Sequence, residues 1–105
     1  MTTDEFLDEL ADVHSSMMDL TKRKNSDYAG ATDPFNNFRQ CEGMGICSIE
    51  QGFLVRMSDK WSRICNLIGN QKENAVLDEK VADTLIDLSN YCLLLTVYLK
   101  SKNKS

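Results

Sequence analysis

Proline, histidine and tryptophan each occur once in this 105-residue chain. No apolar run reaches the roughly 18 residues of a membrane span. The longest, YCLLLTVYL, is too short and follows a strongly amphipathic segment. The N-terminus, MTTDEFLDEL, is acidic and lacks the apolar core of a secretory signal, so the expected location is the cytoplasm of a bacterial or infected cell. The single histidine, His14, sits far along the chain from every cysteine, and no local motif supports a Cys-His nucleophilic pair. The four cysteines, Cys41, Cys47, Cys65 and Cys92, match no CxxC or zinc spacing. They are expected to be reduced thiols, with Cys65 and Cys92 buried on apolar helical faces; Cys41 and Cys47 would bridge only in an oxidising compartment. A formal net charge of -4 argues against coating nucleic acid, although a local basic cluster can still hold a nucleotide. Strand alternation and internal repeats are also missing.

What is present is helical periodicity. At this length one domain, residues 1–105, is expected. A first helix is predicted from about Thr3 to Lys24, capped by Thr3 or Asp4, with Phe6, Leu10, Val13, Met17 and Leu20 as its core stripe. Lys22, Arg23 and Lys24 would close it against the helix dipole. Asn25 to Ser48 holds the proline and most of the glycines, so it reads as a long irregular stretch with a short helix around PFNNFRQCEG. The second long helix opens at Ser48, with Gln51 completing a capping box, and closes near Gly69 or Asn70. Its apolar face is Phe53, Met57, Trp61, Ile64 and Ile68. The third runs from about Asn74 to Lys100 with Leu77, Val81, Leu85, Leu88, Cys92, Leu95 and Leu99 as its stripe. The fold class is all-α: a small bundle of three main helices plus a short helix, completed by oligomerisation. A homo-oligomer burying Leu93, Leu94 or Val97 is expected, because so broad an apolar face exceeds what two short helices can cover.

Charge is the feature that points to chemistry. Glu79, Asp83 and Asp87 recur every four residues and so share one face of the third helix. Arg56, Asp59, Lys60 and Arg63 share a face of the second. A hairpin turning near Asn70 and Gln71 would set Arg56 against Asp87, Lys60 against Asp83 and Arg63 against Glu79. Such a ladder is either a structural seam or the wall of a site. As a site, the three acids would hold Mg²⁺ against a nucleotide's phosphates. Arg56, Lys60 and Arg63 would bind those phosphates, with Asp59 as base or further ligand. As a seam, each pair is worth about 0–1 kcal/mol. Phe35 and Phe38 flank Asn36 and Asn37. This group could stack on and hydrogen-bond a base, or it could plug the loop onto the bundle with Asn36 capping the short helix. Tyr91 is either packing or a polar handle.

The order of these motifs resembles a known family. K-x-x-DY falls at Lys24, Asp27 and Tyr28, and F-x-x-F at Phe35 and Phe38. G-x-x-x-R-x-x-DK-x-x-R falls at Gly52, Arg56, Asp59, Lys60 and Arg63. DE-x-x-x-DT-x-x-DL-x-NY falls at Asp78, Glu79, Asp83, Thr84, Asp87, Leu88, Asn90 and Tyr91. Together, over roughly residues 24 to 98, they resemble the first nucleotide modification associated domain family of phages and bacteria. In place of the family's glycine directly after the tyrosine, this chain has Ala29. The resemblance implies an all-α domain with nucleotide-linked biology. With the residue reading above, the expected nucleotide-binding set is Lys24, Tyr28, Phe35, Asn37, Phe38, Arg56, Lys60, Arg63, Asp87 and Tyr91. The acidic helix also looks like those of all-α pyrophosphohydrolases of the MazG and dimeric dUTPase type. That likeness implies catalysis through Asp59, Glu79 and Asp83, with Mg²⁺ on Glu79, Asp83 and Asp87. The E-x-x-E motif of those enzymes is absent: Arg56, Asp59, Lys60 and Arg63 stand on the second helix instead. The two functional expectations are therefore a Mg²⁺-dependent nucleotide hydrolase and a non-catalytic module that sequesters a nucleotide signal or blocks a host protein.

Overall fold

A computed structural model describes residues 1–28, 33–69 and 75–103, with side chains over 1–24, 33–69 and 77–103. Four helices follow in order: α1 (Thr3–Tyr28), α2 (Asn36–Gly43), α3 (Ile49–Gly69) and α4 (Ala75–Lys102). No strand occurs among the described residues, and the chain is all-α. No described helix is long and apolar enough to cross a membrane. The chain divides into two compact units, Met1–Asn37 and Phe38–Ser105.

In the first unit the cap of α1 lies one residue earlier than expected. Thr2 Oγ1 accepts the N–H of Glu5 at 3.1 Å, and the Thr2 carbonyl accepts that of Phe6. The helix also runs past Lys24, so Lys22, Arg23 and Lys24 lie before its last turn, which carries no cation. Of the predicted stripe Met17 is buried, whereas Phe6, Leu10 and Val13 are exposed. Among the described residues no other whole helix belongs to this unit. Asp33, rather than Asn36, shapes the start of α2. Its Oδ1 accepts the N–H of Phe35 at 3.1 Å and its carbonyl that of Asn36.

The second unit is built on a closed corner and a hairpin. At the end of α2 the N–H of Gly45 bonds the Glu42 carbonyl and that of Ile46 bonds the Cys41 carbonyl, both at 3.0 Å. This pair of bonds requires a left-handed residue between them, and Gly45 supplies it at φ 74°. The capping box of α3 is present as expected. Gln51 N–H donates to Ser48 Oγ at 3.1 Å, and Ser48 N–H donates to Gln51 Oε1 at 2.9 Å. Glu42 adds a third bond, accepting the N–H of Ile49 at 3.2 Å.

Helices α3 and α4 pack antiparallel. Ile49, Phe53 and Ile64 are buried from α3, and Thr84 and Tyr98 from α4. Phe53 is the centre. Phe38 stacks on it at 3.9 Å between centroids, and Tyr91 meets it edge-on at 6.4 Å. Gly52 makes the stack possible, because a Cβ there would lie 3.1 Å from Phe38 Cδ1. The predicted stripes meet the packed faces in part: Phe53 and Ile64 are buried and Met57 half-buried on α3, and Leu77, Val81, Leu88 and Leu95 are half-buried on α4. Trp61 and Ile68 of α3, and Leu85, Cys92 and Leu99 of α4, are exposed, as is Cys65. On α4 the packed row joins Leu77, Val81, Leu88 and Leu95 to Thr84, Tyr91 and Tyr98, the last three each one position before Leu85, Cys92 and Leu99. One residue is about 100° around a helix, which accounts for the change of face. Thr84 can be buried because its hydroxyl donates to the Lys80 carbonyl at 2.8 Å. Tyr98 packs beneath two cations, Arg39 at 5.9 Å and Lys102 at 5.7 Å from its ring centre.

Candidate functional site

The two flanks of the α3–α4 hairpin differ in chemistry, and helical geometry dictates how. In an antiparallel pair, stepping one residue forward from the packed row turns both helices toward the same flank. Stepping one back turns both toward the other. Backward from Lys60, Ile64, Thr84 and Tyr91 lie Asp59, Arg63, Asp83 and Asn90. That flank is charged and polar. Arg56, one position before half-buried Met57, falls on the same arc of α3.

The expected ladder does not form in its predicted register. Lys60 pairs with Asp87, at 3.5 Å, rather than with Asp83. Arg63 Nε donates to Thr84 Oγ1 at 3.3 Å rather than to Glu79. The pairing is displaced by about one turn along α4. Buried aromatic contacts fix helix register more firmly than exposed ion pairs, each worth about 0–1 kcal/mol. The turn itself, at Asn70 and Gln71, lies outside the described residues. Among the described residues no ion pair reaches Arg56, Arg63, Asp59, Glu79 or Asp83. Lys60 and Asp87 are each about 30% exposed in their side chains, so their pair is a partly shielded seam.

The acids do not fit a metal ion. Among the described residues no three carboxylate, thiol or imidazole groups converge as a cation would require. Glu79 and Asp83 are exposed, and Asp87 is engaged by Lys60.

The other predicted site residues are divided between the two units. Lys24, Tyr28, Phe35 and Asn37 belong to the first. Lys24 and Asn37 are exposed, Phe35 is buried, and the Tyr28 side chain lies outside the described set. In the second unit one ring face of Phe38 is taken by Phe53, so that face is not open to a base. Tyr91 is half-buried against Phe53 and serves as packing. Sequence reasoning gave Thr84 no role of its own, yet its hydroxyl both accepts from Arg63 and bonds its own helix. The signal was there: a threonine four residues before an ordinary helical leucine row, facing a basic helix. No family model matches the chain, and comparison with curated proteins and with solved structures likewise gives no match.

Proposed function

We propose that this protein is a phage-type nucleotide-binding module, with Arg56 and Arg63 as its phosphate contacts. The observation that carries this reading is the pair of exposed guanidinium groups that, among the described residues, have no carboxylate partner beside an acid-rich helix. They lie two turns apart on α3, about 10 Å along the axis. That spacing lets two long side chains converge on one polyphosphate. Thr84 holds Arg63 through Nε, and the two terminal nitrogens remain for a bidentate contact. Lys60, tied to Asp87, adds charge at the same flank. The motif order, which resembles that of the nucleotide modification associated family, supports the same ligand class. Capture of the nucleotide is the simpler role for this basic flank, as among the described residues no three acids gather into a metal cage. Sequestering a nucleotide signal in an infected cell fits such a module.

Calorimetry against nucleoside mono-, di- and triphosphates, with and without Mg²⁺, tests this. At least one nucleotide should bind in the micromolar range. Arg56→Ala should weaken it tenfold or more, about 1.4 kcal/mol, with an unchanged melting temperature. If no nucleotide binds below millimolar, the reading falls, and blocking of a host protein becomes the better account.

A further inference from the structure

The cations Arg56, Lys60 and Arg63 of α3 are held in different ways. Lys60 is tied to a carboxylate, that of Asp87. Among the described residues no hydrogen bond or ion pair reaches Arg56. Arg63 is tied to a hydroxyl, its Nε–H donating to Thr84 Oγ1 at 3.3 Å. A threonine hydroxyl has one hydrogen to donate and two lone pairs to accept with. At Thr84 the hydrogen is committed to the Lys80 carbonyl at 2.8 Å, which selects the side-chain rotamer and leaves a lone pair for Arg63. The residue is 4% exposed, so its oxygen cannot turn away to water. The Lys80 bond alone is enough to satisfy the buried hydroxyl. The bond from Arg63 comes on top of what burial requires.

We infer that Thr84 is the positioning residue of the phosphate site, holding the Arg63 guanidinium in one orientation before the nucleotide arrives. The inference rests on the nucleotide-binding reading and names the residue that sets its geometry. A guanidinium is planar, so fixing Nε fixes the direction of its remaining N–H groups. Those groups are left for the oxygens of a phosphate. An arginine that rotates freely loses that freedom on binding. One already held loses less, and the difference appears as affinity. The kind of tether matters as well. A carboxylate at this position would hold Arg63 more firmly but offset its charge, as Asp87 does for Lys60. The Thr84 hydroxyl restrains the arginine and leaves its positive charge whole. Arg56, earlier on the same helix and without such a tether, adapts to the nucleotide instead of orienting it.

Thr84→Val and Thr84→Ser, each made alone and together with Arg63→Ala, test this. Binding is measured by calorimetry against the adenine, guanine, cytosine and uracil ribonucleoside mono-, di- and triphosphates. Thr84→Val should weaken the tightest of these by about fivefold or more, while Thr84→Ser stays within about twofold of wild type. In the Arg63→Ala background Thr84→Val should change nothing further, an outcome that a merely structural role would not give. A second readout needs no nucleotide. In nitrogen-15 spectra the Arg63 Nε–H, assigned through Arg63→Lys, should exchange with water about tenfold or more slower than that of Arg56. Thr84→Val should abolish the difference; where that variant misfolds, the wild-type comparison of Arg63 with Arg56 decides. The role of Thr84 is overturned by an Arg63 Nε–H as labile as that of Arg56, or by Thr84→Val binding within about twofold of wild type. It is overturned equally if Thr84→Val loses as much affinity without Arg63 as with it. Each of those results leaves the nucleotide reading standing. If no nucleotide binds the wild type below millimolar, that reading falls and the role of Thr84 falls with it, even where the Arg63 Nε–H is protected.

Discussion

Replacing Gly52 by alanine sets two effects of similar size against each other. In a helix interior, alanine is favoured over glycine by about 0.5–1 kcal/mol. At Gly52 the added carbon would sit 3.1 Å from Phe38 Cδ1 and 3.8 Å from Cys47 Sγ. Phe38 has little room to retreat, since its ring is stacked at 3.9 Å on Phe53, which is 0% exposed with Tyr91 at its edge. Forcing an extra methyl into such packing costs about 1–3 kcal/mol. The expected net is a loss of about 1 kcal/mol, or about 4–8 °C in melting temperature for a domain of this size. Thermal denaturation followed by far-ultraviolet circular dichroism at fixed protein concentration measures it. Gly43→Ala, where nothing lies within 4 Å, serves as the control and should change little. In a Phe38→Leu background the clash is relieved, and Gly52→Ala should become stabilising, giving a coupling of about 1–2 kcal/mol. A rise in melting temperature for Gly52→Ala alone would refute the argument that the aromatic stack fixes this glycine.

Three further outcomes are expected. Ser48→Ala removes half of the capping box and should cost about 1 kcal/mol by urea denaturation. Phe53→Ala should cost about 3–5 kcal/mol, enough to leave a marginal protein largely unfolded at 37 °C, as read from amide hydrogen exchange. Lys60→Ala should cost up to about 1 kcal/mol, with the loss shrinking in 1 M salt, while Asp83→Asn should stay within about 0.5 kcal/mol of wild type.

Local features of this fold were legible in the sequence; the choice of helical face was legible only in part. Ser48 and Gln51 lie three residues apart, so their mutual capping needs no tertiary context and was readable directly. The short helix within PFNNFRQCEG and the ends of α3 near Ser48 and Gly69 were readable for the same reason. Faces fail where polarity misleads. On α4 periodicity places Leu77, Val81, Leu88 and Leu95 on the packed row but also selects exposed Leu85, Cys92 and Leu99, where Thr84, Tyr91 and Tyr98 pack instead. A buried threonine with two hydrogen bonds and a tyrosine under two cations are environments that a hydrophobicity pattern does not encode. At the candidate site the sequence suggested a charge ladder between α3 and α4, but of its members only Lys60 and Asp87 pair, about one turn from the expected register. Charge pairs this exposed are too weak to set a register, and the aromatic cluster that does set it involves Phe38, distant in sequence.

The bond from Glu42 to the start of α3 bears on where an anion can settle. The first turn of a 21-residue helix, with its aligned amides, is ordinarily an attractive seat for phosphate. Here a carboxylate from the preceding helix already sits on the Ile49 amide, and Ser48 takes that of Gln51. A tether of a few residues keeps that carboxylate at an effective concentration on the order of millimolar or more. Any incoming phosphate must outcompete a rival that never diffuses away. The protein thus closes its most obvious anion port from within, and negatively charged ligands are left to the side chains along the flank of α3 instead of its tip.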